Sequence, residues 1–358
     1  MENERKRRLR ILLDSLKEKT IYLYGAGIRG KVALENLNDL EMDKNIAGFI
    51  DDYSQQRKYC GKDVWLTEEV ADFNNANSVY IITTYAVAPM VCNLIKKGIA
   101  SRNIYYFPEL LINDVKIEKL RENADKIEQA YTILDDCLSK YIYKTLFEIC
   151  LNGNIGVLSR TKGNTQYFPM KDSNDAIENF MISESESFVD CGAYDGDTIR
   201  QFKIKTNDRY KKIWAFEPDK KNFVCLADYV EKEQDDRVQI IQGGVYSENT
   251  VMFFSGSQGT TSTLDLTGDE SIQVYQLDSV IQEPVTFIKM DIEGSEREAL
   301  LGAKRIISEY KPKLAICIYH NIEDFWEIPL LIKRLNPDYH IYIRNYEDRI
   351  DETVCYAI

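Results

Sequence analysis

The feature that most constrains the fold is an alternation of short apolar runs and helical patterns over residues 155–358. Seven runs have the length and composition of strands, at 187–193, 212–219, 238–246, 285–291, 314–320, 340–346 and 353–358. Helical patterns separate most of them, as in 295–310, whose apolar residues share one face. Because the last two runs are close in sequence, the pattern predicts a doubly wound α/β sheet that ends in a hairpin.

The first of these strands runs directly into a glycine loop, FVDCGAYDGDT at 188–198. The strand carries Asp190 near its end, Gly192 and Gly196 follow, and a helix begins near Thr198. Glycines allow a tight turn and a close approach of the backbone to a ligand, and ligands of open parallel sheets bind at the carboxyl ends of the strands. The loop therefore predicts a ligand site, with an ordinary strand-to-helix turn as the alternative.

The second strand ends in Glu217, which lies 21 residues after Gly196. An acid at this position suits the two hydroxyls of a ribose, so either NAD or S-adenosylmethionine fits, unless Glu217 is an ordinary surface residue. The acids Asp190, Asp195 and Asp197 of the loop would repel a pyrophosphate. They suit a ligand with an ammonium and a sulfonium group, which favours S-adenosylmethionine.

Two further strands end in residues that could act on an acceptor. Asp291 and Glu293 follow the run FIKM, and His320 closes the run LAICIY. Asp291 and His320 are the candidates for removing a proton from the acceptor, and Glu293 for contacting it. The alternatives are solvated acids at a helix N-terminus and a structural histidine.

The composition and net charge of the chain limit the kinds of partner that it is expected to bind. A chain of 358 residues exceeds the usual size of one core, so two domains are expected. The net charge of -13 and the lack of a long basic stripe argue against nucleic acid. No run is long enough for a membrane span, and no signal peptide precedes the first unit, which predicts a cytoplasmic protein. The eight cysteines form no Cys-x-x-Cys motif and are expected to be free and mostly buried.

The N-terminal part contains a second strand–loop–helix pattern. The loop GAGIRG supplies Gly25, Gly27 and Gly30, and Asp51 follows at the end of a later strand run. This spacing is typical of a dinucleotide-binding unit, although a Rossmann-like unit without a ligand is the alternative. The predicted division is a Rossmann-like domain at 1–112, a helical connector at 113–154, and the larger α/β domain at 155–358.

The chain from about 165 to 358 resembles the FkbM-type methyltransferase family. The resemblance is carried by QYFP (166–169), FVDCGAYDGDT, FEPD (216–219), FIKMDIEGSEREALLGAKRII (287–307), PKLAICIYH (312–320) and ETVCYA (352–357). It implies a class I Rossmann-like fold and transfer of a methyl group from S-adenosylmethionine to a hydroxyl of a sugar, glycan or related natural product.

By motif match, this resemblance places the methionine end of the cofactor on the loop, its ribose at Glu217, and the transfer point beside Asp291–Gly294. The cofactor-binding residues expected are Asp190, Cys191, Gly192, Ala193, Tyr194, Gly196, Asp197, Thr198, Glu217, Pro218 and Gly243. The residues expected to contact the acceptor or a nucleotide are Gly25, Gly27, Gly30, Asp51 and Glu293.

The first unit is similar to the N-terminal domains of sugar acyltransferases, in which YGAG…GFIDD cradles a nucleotide-sugar. The expected partners are therefore a small-molecule or glycan substrate, including a nucleotide-linked sugar, while a homo-oligomer is left open. No metal site is predicted, because the sequence has no cysteine–histidine cluster.

Two other functions stay open at this stage, a NAD-dependent sugar-nucleotide oxidoreductase and a nucleotide-sugar binding protein without catalysis. The hydroxyl-rich run 255–263 is either an acceptor loop or a surface hairpin.

Overall fold

The computed structural model describes residues 4–70, 74–84, 87–111, 114–152, 162–171, 173–255, 263–265, 270–347 and 350–358. The chain divides into two compact units. The first comprises Met1–Lys119 with Phe147–Ile155, and the second comprises Leu120–Leu146 with Gly156–Ile358. The second unit thus includes most of the segment that the sequence analysis assigns to a connector.

The first unit is built around a six-stranded sheet with the order β3-β4-β2-β1-β5-β6. All neighbouring strands are parallel except the pair β3 and β4. The sequence pattern predicts β1, β2, β5 and β6 but misses the two short strands β3 and β4. The elements are α1 (Glu4–Leu13), β1 (Thr20–Tyr24), α2 (Ile28–Asp39), β2 (Ile46–Ile50), β3 (Lys58–Tyr59), β4 (Lys62–Trp65), β5 (Ser78–Ile82), α3 (Val87–Lys96) and β6 (Ile104–Tyr105).

The second unit is built around a seven-stranded sheet with the order β16-β17-β15-β14-β7-β8-β9. Its central strands are parallel, while β17 pairs antiparallel with both β15 and β16. The strands are β7 (Ser187–Cys191), β8 (Lys212–Glu217), β9 (Val238–Gln242), β14 (Phe287–Met290), β15 (Lys313–Cys317), β16 (Ile341–Asn345) and β17 (Thr353–Ala357). This is a doubly wound α/β sheet with a terminal hairpin, as the sequence pattern predicts.

A smaller four-stranded sheet, β10-β13-β11-β12, accompanies the large one. Its strands are β10 (Gly244–Val245), β11 (Thr250–Ser255), β12 (Thr263–Asp265) and β13 (Glu270–Tyr275). The sequence pattern predicts one strand over 238–246, but the run is interrupted at Gly243. The part before Gly243 belongs to the large sheet and the part after it to the small sheet. Gly243 has a positive φ of 158°, and its N–H donates to the carbonyl of Glu217. Most of the run 255–263 lies outside the described residues.

The helical connector and the predicted helix at 295–310 each consist of more than one helix. The segment 114–152 holds three helices, and the predicted helix 295–310 divides at Gly302, which lies directly against the carbonyl of Tyr246. The helices are α4 (Asp114–Glu122), α5 (Ala124–Thr132), α6 (Cys137–Asn152), α7 (Asp197–Lys205), α8 (Lys220–Glu233), α9 (Leu277–Val280), α10 (Glu296–Leu301), α11 (Lys304–Tyr310) and α12 (Asp324–Leu335). Among the described residues, no helix combines the length and apolar character of a bilayer span.

The hairpin β16–β17 is tied to the segment between α5 and α6 by charged groups. Arg344 is 1% exposed, and its guanidinium donates to Asp136 at 2.6 Å and to Ser139 at 2.9 Å. Asp135 accepts the backbone N–H of Ile341 at 2.7 Å. Because these contacts involve buried or half-buried groups, residues 120–146 are an integral part of the second unit.

All eight cysteines are free, as expected. The expectation that most are buried is wrong, because only Cys191, Cys317 and Cys355 are buried. These three lie on central strands of the large sheet, whereas the four exposed cysteines lie on helices or at a turn.

The core of the second unit centres on stacked phenylalanines. Phe188 on β7 stacks on Phe287 of β14 with ring centroids 4.9 Å apart and on Phe202 of α7 at 4.6 Å. Phe168 packs edge-on against Phe287 at 5.9 Å. All four rings are buried, so this cluster joins the sheet to α7 and to the segment that precedes β7.

We predict that Phe188→Ala lowers the free energy of unfolding by about 3–5 kcal/mol, because it removes buried surface and leaves a cavity in this cluster. Urea denaturation followed by circular dichroism measures the change. Val224→Ala is the matched control, since Val224 is 58% exposed and its truncation should change stability by no more than about 0.5 kcal/mol. An equal effect of both changes would contradict this account of the core.

Candidate active site

The predicted residues of the second unit lie at one edge of the large sheet. The strands β8, β7, β14 and β15 are parallel neighbours, so their carboxyl ends meet at this edge. Asp190 pairs in register with Lys289, and Cys191 with Met290. The loops that begin at Cys191 and Asp291 therefore leave the sheet side by side.

The glycine loop after β7 is shaped by contacts that a larger residue would not permit. Gly192 has a φ of 82°, and a Cβ at this position would lie 1.9 Å from the carbonyl oxygen of Asp291. The N–H groups of Gly192 and Ala193 both donate to the carbonyl of Phe216 at 3.0 Å. Gly196 has a φ of 88° and precedes α7 as its N-cap. Glycine is required here by both backbone conformation and space.

Glu217 connects the end of β8 to this loop. One carboxylate oxygen accepts the N–H of Tyr194 at 2.8 Å, and the other accepts the N–H of Asp219 at 2.9 Å. Burial raises the pKa of Glu217 to about 7, although these two hydrogen bonds act in the opposite direction. Each carboxylate oxygen has capacity for a further hydrogen bond, so the side chain can serve the loop and a ligand together.

Asp190 lies beneath the loop in an ion pair with Lys289. The Nζ atom of Lys289 is 3.1 Å from Asp190 Oδ1 and donates to the carbonyl of Gly192 at 2.6 Å. Burial raises the pKa of Asp190 to about 6, while Lys289 opposes that rise. Because Asp190 has no exposed surface, a direct contact with a ligand would require this pair to open.

The other predicted cofactor residues differ in exposure. Cys191, Ala193, Thr198 and Gly243 are buried, so they shape the loop or its surroundings. Tyr194 is 55% exposed, Asp197 is exposed and Pro218 is partly exposed, so these three present surface to a ligand at the sheet edge.

Asp291 is held by two tyrosines. The hydroxyl of Tyr167 donates to Asp291 Oδ2 at 2.7 Å, and that of Tyr319 donates to Oδ1 at 3.3 Å. Burial would raise the pKa of Asp291, but the charges of Lys289 and His320 outweigh it and lower the pKa below its usual value. Asp291 is therefore an ionised carboxylate with several donors.

His320 lies among three carboxylates. Its Nδ1 is 3.0 Å from Glu296 Oε1, and its Nε2 is 3.4 Å from Asp291 Oδ1 and 3.5 Å from Glu293 Oε2. Burial acts to lower the pKa of His320, but the carboxylates raise it to about 9. The imidazole is therefore protonated at neutral pH and supplies the positive charge of the cluster.

Four members of this constellation are not predicted as site residues from the sequence, namely Tyr167, Lys289, Glu296 and Tyr319. Lys289 lies on a strand whose sequence is otherwise apolar, and Glu296 has the position of an ordinary acid at a helix N-terminus. The pairing of β14 with β7 and β15 brings Lys289 and Tyr319 to the sheet edge that carries Asp291.

Asp291, Glu296 and His320 each offer an atom within 4.8 Å of the others, a spacing that a metal ion could bridge, but the two carboxylates face different nitrogens of the ring. Glu296 faces Nδ1 of the imidazole and Asp291 faces Nε2. An ion bound to one ring nitrogen points away from the carboxylate on the other nitrogen. A doubly protonated imidazole satisfies both carboxylates.

The glycine loop of the first unit resembles the glycine loop after β7, because an acid that follows the neighbouring strand accepts backbone N–H groups of the loop. Asp51 follows β2, and its carboxylate accepts the N–H groups of Ala26 at 2.7 Å, Tyr53 at 2.9 Å and Ser54 at 3.1 Å. A Cβ on Gly30 would lie 2.1 Å from the carbonyl of Gly25, which itself has a φ of 122°. Gly27 is open, with nothing within 4 Å of a Cβ at its position. The structure therefore brings Gly25, Gly27, Gly30 and Asp51 to one loop region.

Comparison with known proteins identifies a matching family model and solved structures with a similar fold. Residues 190–350 match the family model of the methyltransferase FkbM domain. The crystal structure of the methyltransferase FkbM from Methylobacillus flagellatus KT is similar over 98% of this chain and 93% of that chain, with a TM-score of 0.73 and 22% identity. That similarity covers the sequence of both α/β units.

More distant structures resemble about half of the chain. Fibrillarin from Aeropyrum pernix, in complex with natively bound S-adenosyl-L-methionine, has a TM-score of 0.34 and 10% identity, over 51% of this chain and 70% of that chain. An rRNA methylase from Streptococcus thermophilus has a TM-score of 0.31 and 16% identity, over 49% and 87%. No curated protein matches at a significant level. Residues 190–350 therefore match a methyltransferase FkbM domain, and the seven-stranded sheet of the second unit has the doubly wound class I methyltransferase fold.

Proposed function

We propose that the chain transfers a methyl group from S-adenosylmethionine to a hydroxyl of a sugar, glycan or related natural product. The observation that carries this proposal is the position of Glu217, which ends β8 and holds the neighbouring glycine loop by its Tyr194 N–H. A carboxylate there can accept both hydroxyls of a ribose. The acids of the same edge favour a cationic ligand over a pyrophosphate.

The cofactor is proposed to lie along the loop from Asp190 to Thr198, with its ribose at Glu217. Tyr194, Asp197 and Pro218 supply accessible surface beside it. Gly243 is adjacent to this region, because its N–H donates to the backbone carbonyl of Glu217 at 3.1 Å. The bound cofactor supplies the methyl group and its sulfur leaving group, and the protein aligns and desolvates the two reactants.

The acceptor hydroxyl is proposed to approach the cluster formed by Asp291, Glu293 and His320. These side chains are 26%, 35% and 10% exposed, so each presents some surface. The sequence names Asp291 and His320 for the removal of the hydroxyl proton, but the raised pKa of His320 leaves it protonated at neutral pH, so His320 is proposed to orient the acceptor. The hydroxyls of Tyr167 and Tyr319 fix Asp291, which therefore offers a stable hydrogen-bond acceptor to a sugar.

The first unit is proposed to bind the nucleotide part of a nucleotide-linked sugar. This proposal is supported by the N-terminus of α2, which begins within the loop Gly25–Gly30. Backbone N–H groups at a helix N-terminus can bind a phosphate. Asp51 already accepts three backbone N–H groups, so a ribose would share this carboxylate with the loop. Remote binding of this kind supplies energy that holds the reacting hydroxyl in line.

We predict that Glu217→Ala weakens S-adenosylmethionine binding about tenfold to a hundredfold, from the loss of roughly 1.5–3 kcal/mol of hydrogen bonding to a charged group. Isothermal calorimetry on the full chain measures the affinity. Glu231→Ala is the control, because Glu231 is an exposed residue near the far end of α8. Unchanged affinity in Glu217→Ala would refute the ribose assignment.

We predict that UDP-glucose or GDP-mannose binds the full chain and that Gly30→Ala abolishes this binding while Gly27→Ala does not. The reason is that a Cβ on Gly30 collides with the carbonyl of Gly25, whereas one on Gly27 meets nothing. The same calorimeter reports both affinities, and Glu217→Ala should leave them unchanged. If neither nucleotide-sugar releases or absorbs heat, the first unit has another role.

We predict that excess chelator leaves methyl transfer unchanged, and that Asp291→Asn and His320→Gln each lower kcat by about 10² or more, because each change disturbs the charged cluster that positions the acceptor hydroxyl. Transfer of a labelled methyl group, screened against a glycan and nucleotide-sugar library, supplies the assay. His340→Gln is the control for the histidine change, because His340 is exposed and pairs with Asp135. Loss of activity with chelator would show that a metal is required.

A further inference from the structure

The three carboxylates around His320 differ in their exposure to solvent and in the hydrogen bonds that they already accept. Glu296 has no exposed surface, and its Oε1 also accepts the N–H of Ile292 at 2.8 Å, so it is confined to the interior. Asp291 accepts from Tyr167 and Tyr319 in addition to its contact with His320. Glu293 is the most exposed of the three, and its described side-chain contact is with His320 at 3.5 Å. Glu293 therefore has the most capacity for a new hydrogen bond.

The backbone places Glu293 at this position through an uncommon conformation. Its φ is 56°, and that of Gly294 is 97°. A Cβ on Gly294 would lie 2.8 Å from the side-chain amide of Asn321, so the loop packs closely against the segment that follows β15. A left-handed glutamate is maintained only where the surroundings fix it, and such residues cluster at functional sites.

We propose that Glu293 takes the proton of the acceptor hydroxyl, and that Glu296 is a positioning residue that holds His320 as the cationic partner of Glu293. The proposal rests on the proposed function, because it concerns the fate of the hydroxyl proton in methyl transfer. It assigns the proton to a carboxylate that the sequence analysis places only in contact with the acceptor. Asp291 then fixes the orientation of the hydroxyl.

The charges that face Glu293 support this role. Burial raises the pKa of Glu293 to about 7, His320 acts to lower it, and the carboxylates of Asp291, Glu296 and Glu352 act to raise it. A base whose pKa lies near the operating pH is the most effective proton acceptor. Asp291 has a lowered pKa and is a weak base, and His320 carries its proton already.

The step balances with these groups alone. The hydroxyl oxygen forms a bond to the methyl carbon, and its O–H electron pair remains on that oxygen as the proton moves to Glu293. The bond from carbon to sulfur breaks with both electrons going to sulfur, which leaves S-adenosylhomocysteine. Glu293 then returns its proton to solvent, to which its side chain is 35% exposed.

Carboxyl NMR on the full chain, with ¹³C-labelled glutamate and bound S-adenosylhomocysteine, measures the first part of the proposal. The carboxyl signal that disappears from the spectrum of Glu293→Gln is assigned to Glu293. In the wild type, the titration midpoint of this signal is expected near pH 7. In His320→Gln the midpoint is expected to rise, because the cation that favours the carboxylate is lost. A Glu293 midpoint near its ordinary value of about 4.5 would overturn the proposal.

The two histidines of the chain make the role of Glu296 directly measurable. Ring NMR signals are assigned with His340→Gln, and His320 is expected to titrate near pH 9 in the wild type. Glu296→Gln keeps the size of the side chain but removes its charge, so the His320 midpoint should move toward about 6.5. Glu298→Gln makes the same chemical change two residues later and should leave the titration midpoint of His320 unchanged. An unmoved midpoint in Glu296→Gln would overturn the positioning role.

Methyl transfer to the acceptor found by the labelled screen gives the kinetic readout. The unprotonated form of Glu293 increases as pH rises, so kcat should rise through about pH 7 and stay level until His320 loses its proton near pH 9. Glu293→Gln should lower kcat about 10²-fold or more and remove this limb, and Glu293→Asp should restore part of the rate. A Glu293→Gln chain with wild-type kcat would overturn the proposal. Failure of the wild type to bind S-adenosylmethionine would instead count against the proposed function.

Discussion

The buried pair of Asp190 and Lys289 is the interaction on which the site depends. Lys289 pairs with the carboxylate at the end of β7 and donates to the carbonyl of Gly192, and Asp291 lies two residues beyond it. One ammonium group therefore links the loop proposed for the cofactor to the loop proposed for the acceptor. Removal of either partner would leave an uncompensated charge in the core, which is strongly destabilising. The two loops also pack closely, since a Cβ on Gly192 would lie 1.9 Å from the carbonyl oxygen of Asp291.

Both units use an acid at the end of one strand to hold the glycine loop that follows the neighbouring strand. Asp51 accepts the N–H of Ala26, and Glu217 accepts the N–H of Tyr194. In both cases the interaction satisfies a loop N–H that a tight turn would otherwise leave without a partner. The two acids differ in how many further hydrogen bonds they can accept from a ligand, since Asp51 already accepts three backbone N–H groups and Glu217 accepts two.

The sheet of the second unit could be predicted from the sequence because each strand is a compact apolar run with a polar end. Glu217, Asp291 and His320 follow such runs, so their common edge could be inferred from the rule that parallel strands align their carboxyl ends. The short strands β3 and β4 could not, because a strand of two to four residues has no periodicity to recognise. The division at Gly243 was missed because the change of sheet is a tertiary effect, caused by pairing with β13.

The attachment of residues 120–146 to the terminal hairpin affects where the methyltransferase unit can be cut. A fragment that begins at residue 155, the predicted domain boundary, would lack Asp136 and Ser139 and would leave the buried guanidinium of Arg344 without two of its partners. It would also remove Asp135 from the edge strand β16, whose Ile341 N–H would lose its acceptor. An open strand edge and an unpaired buried cation favour aggregation and misfolding. A fragment that starts near residue 120 retains both contacts and is the better choice for crystallisation or for exchange of the catalytic unit between related enzymes.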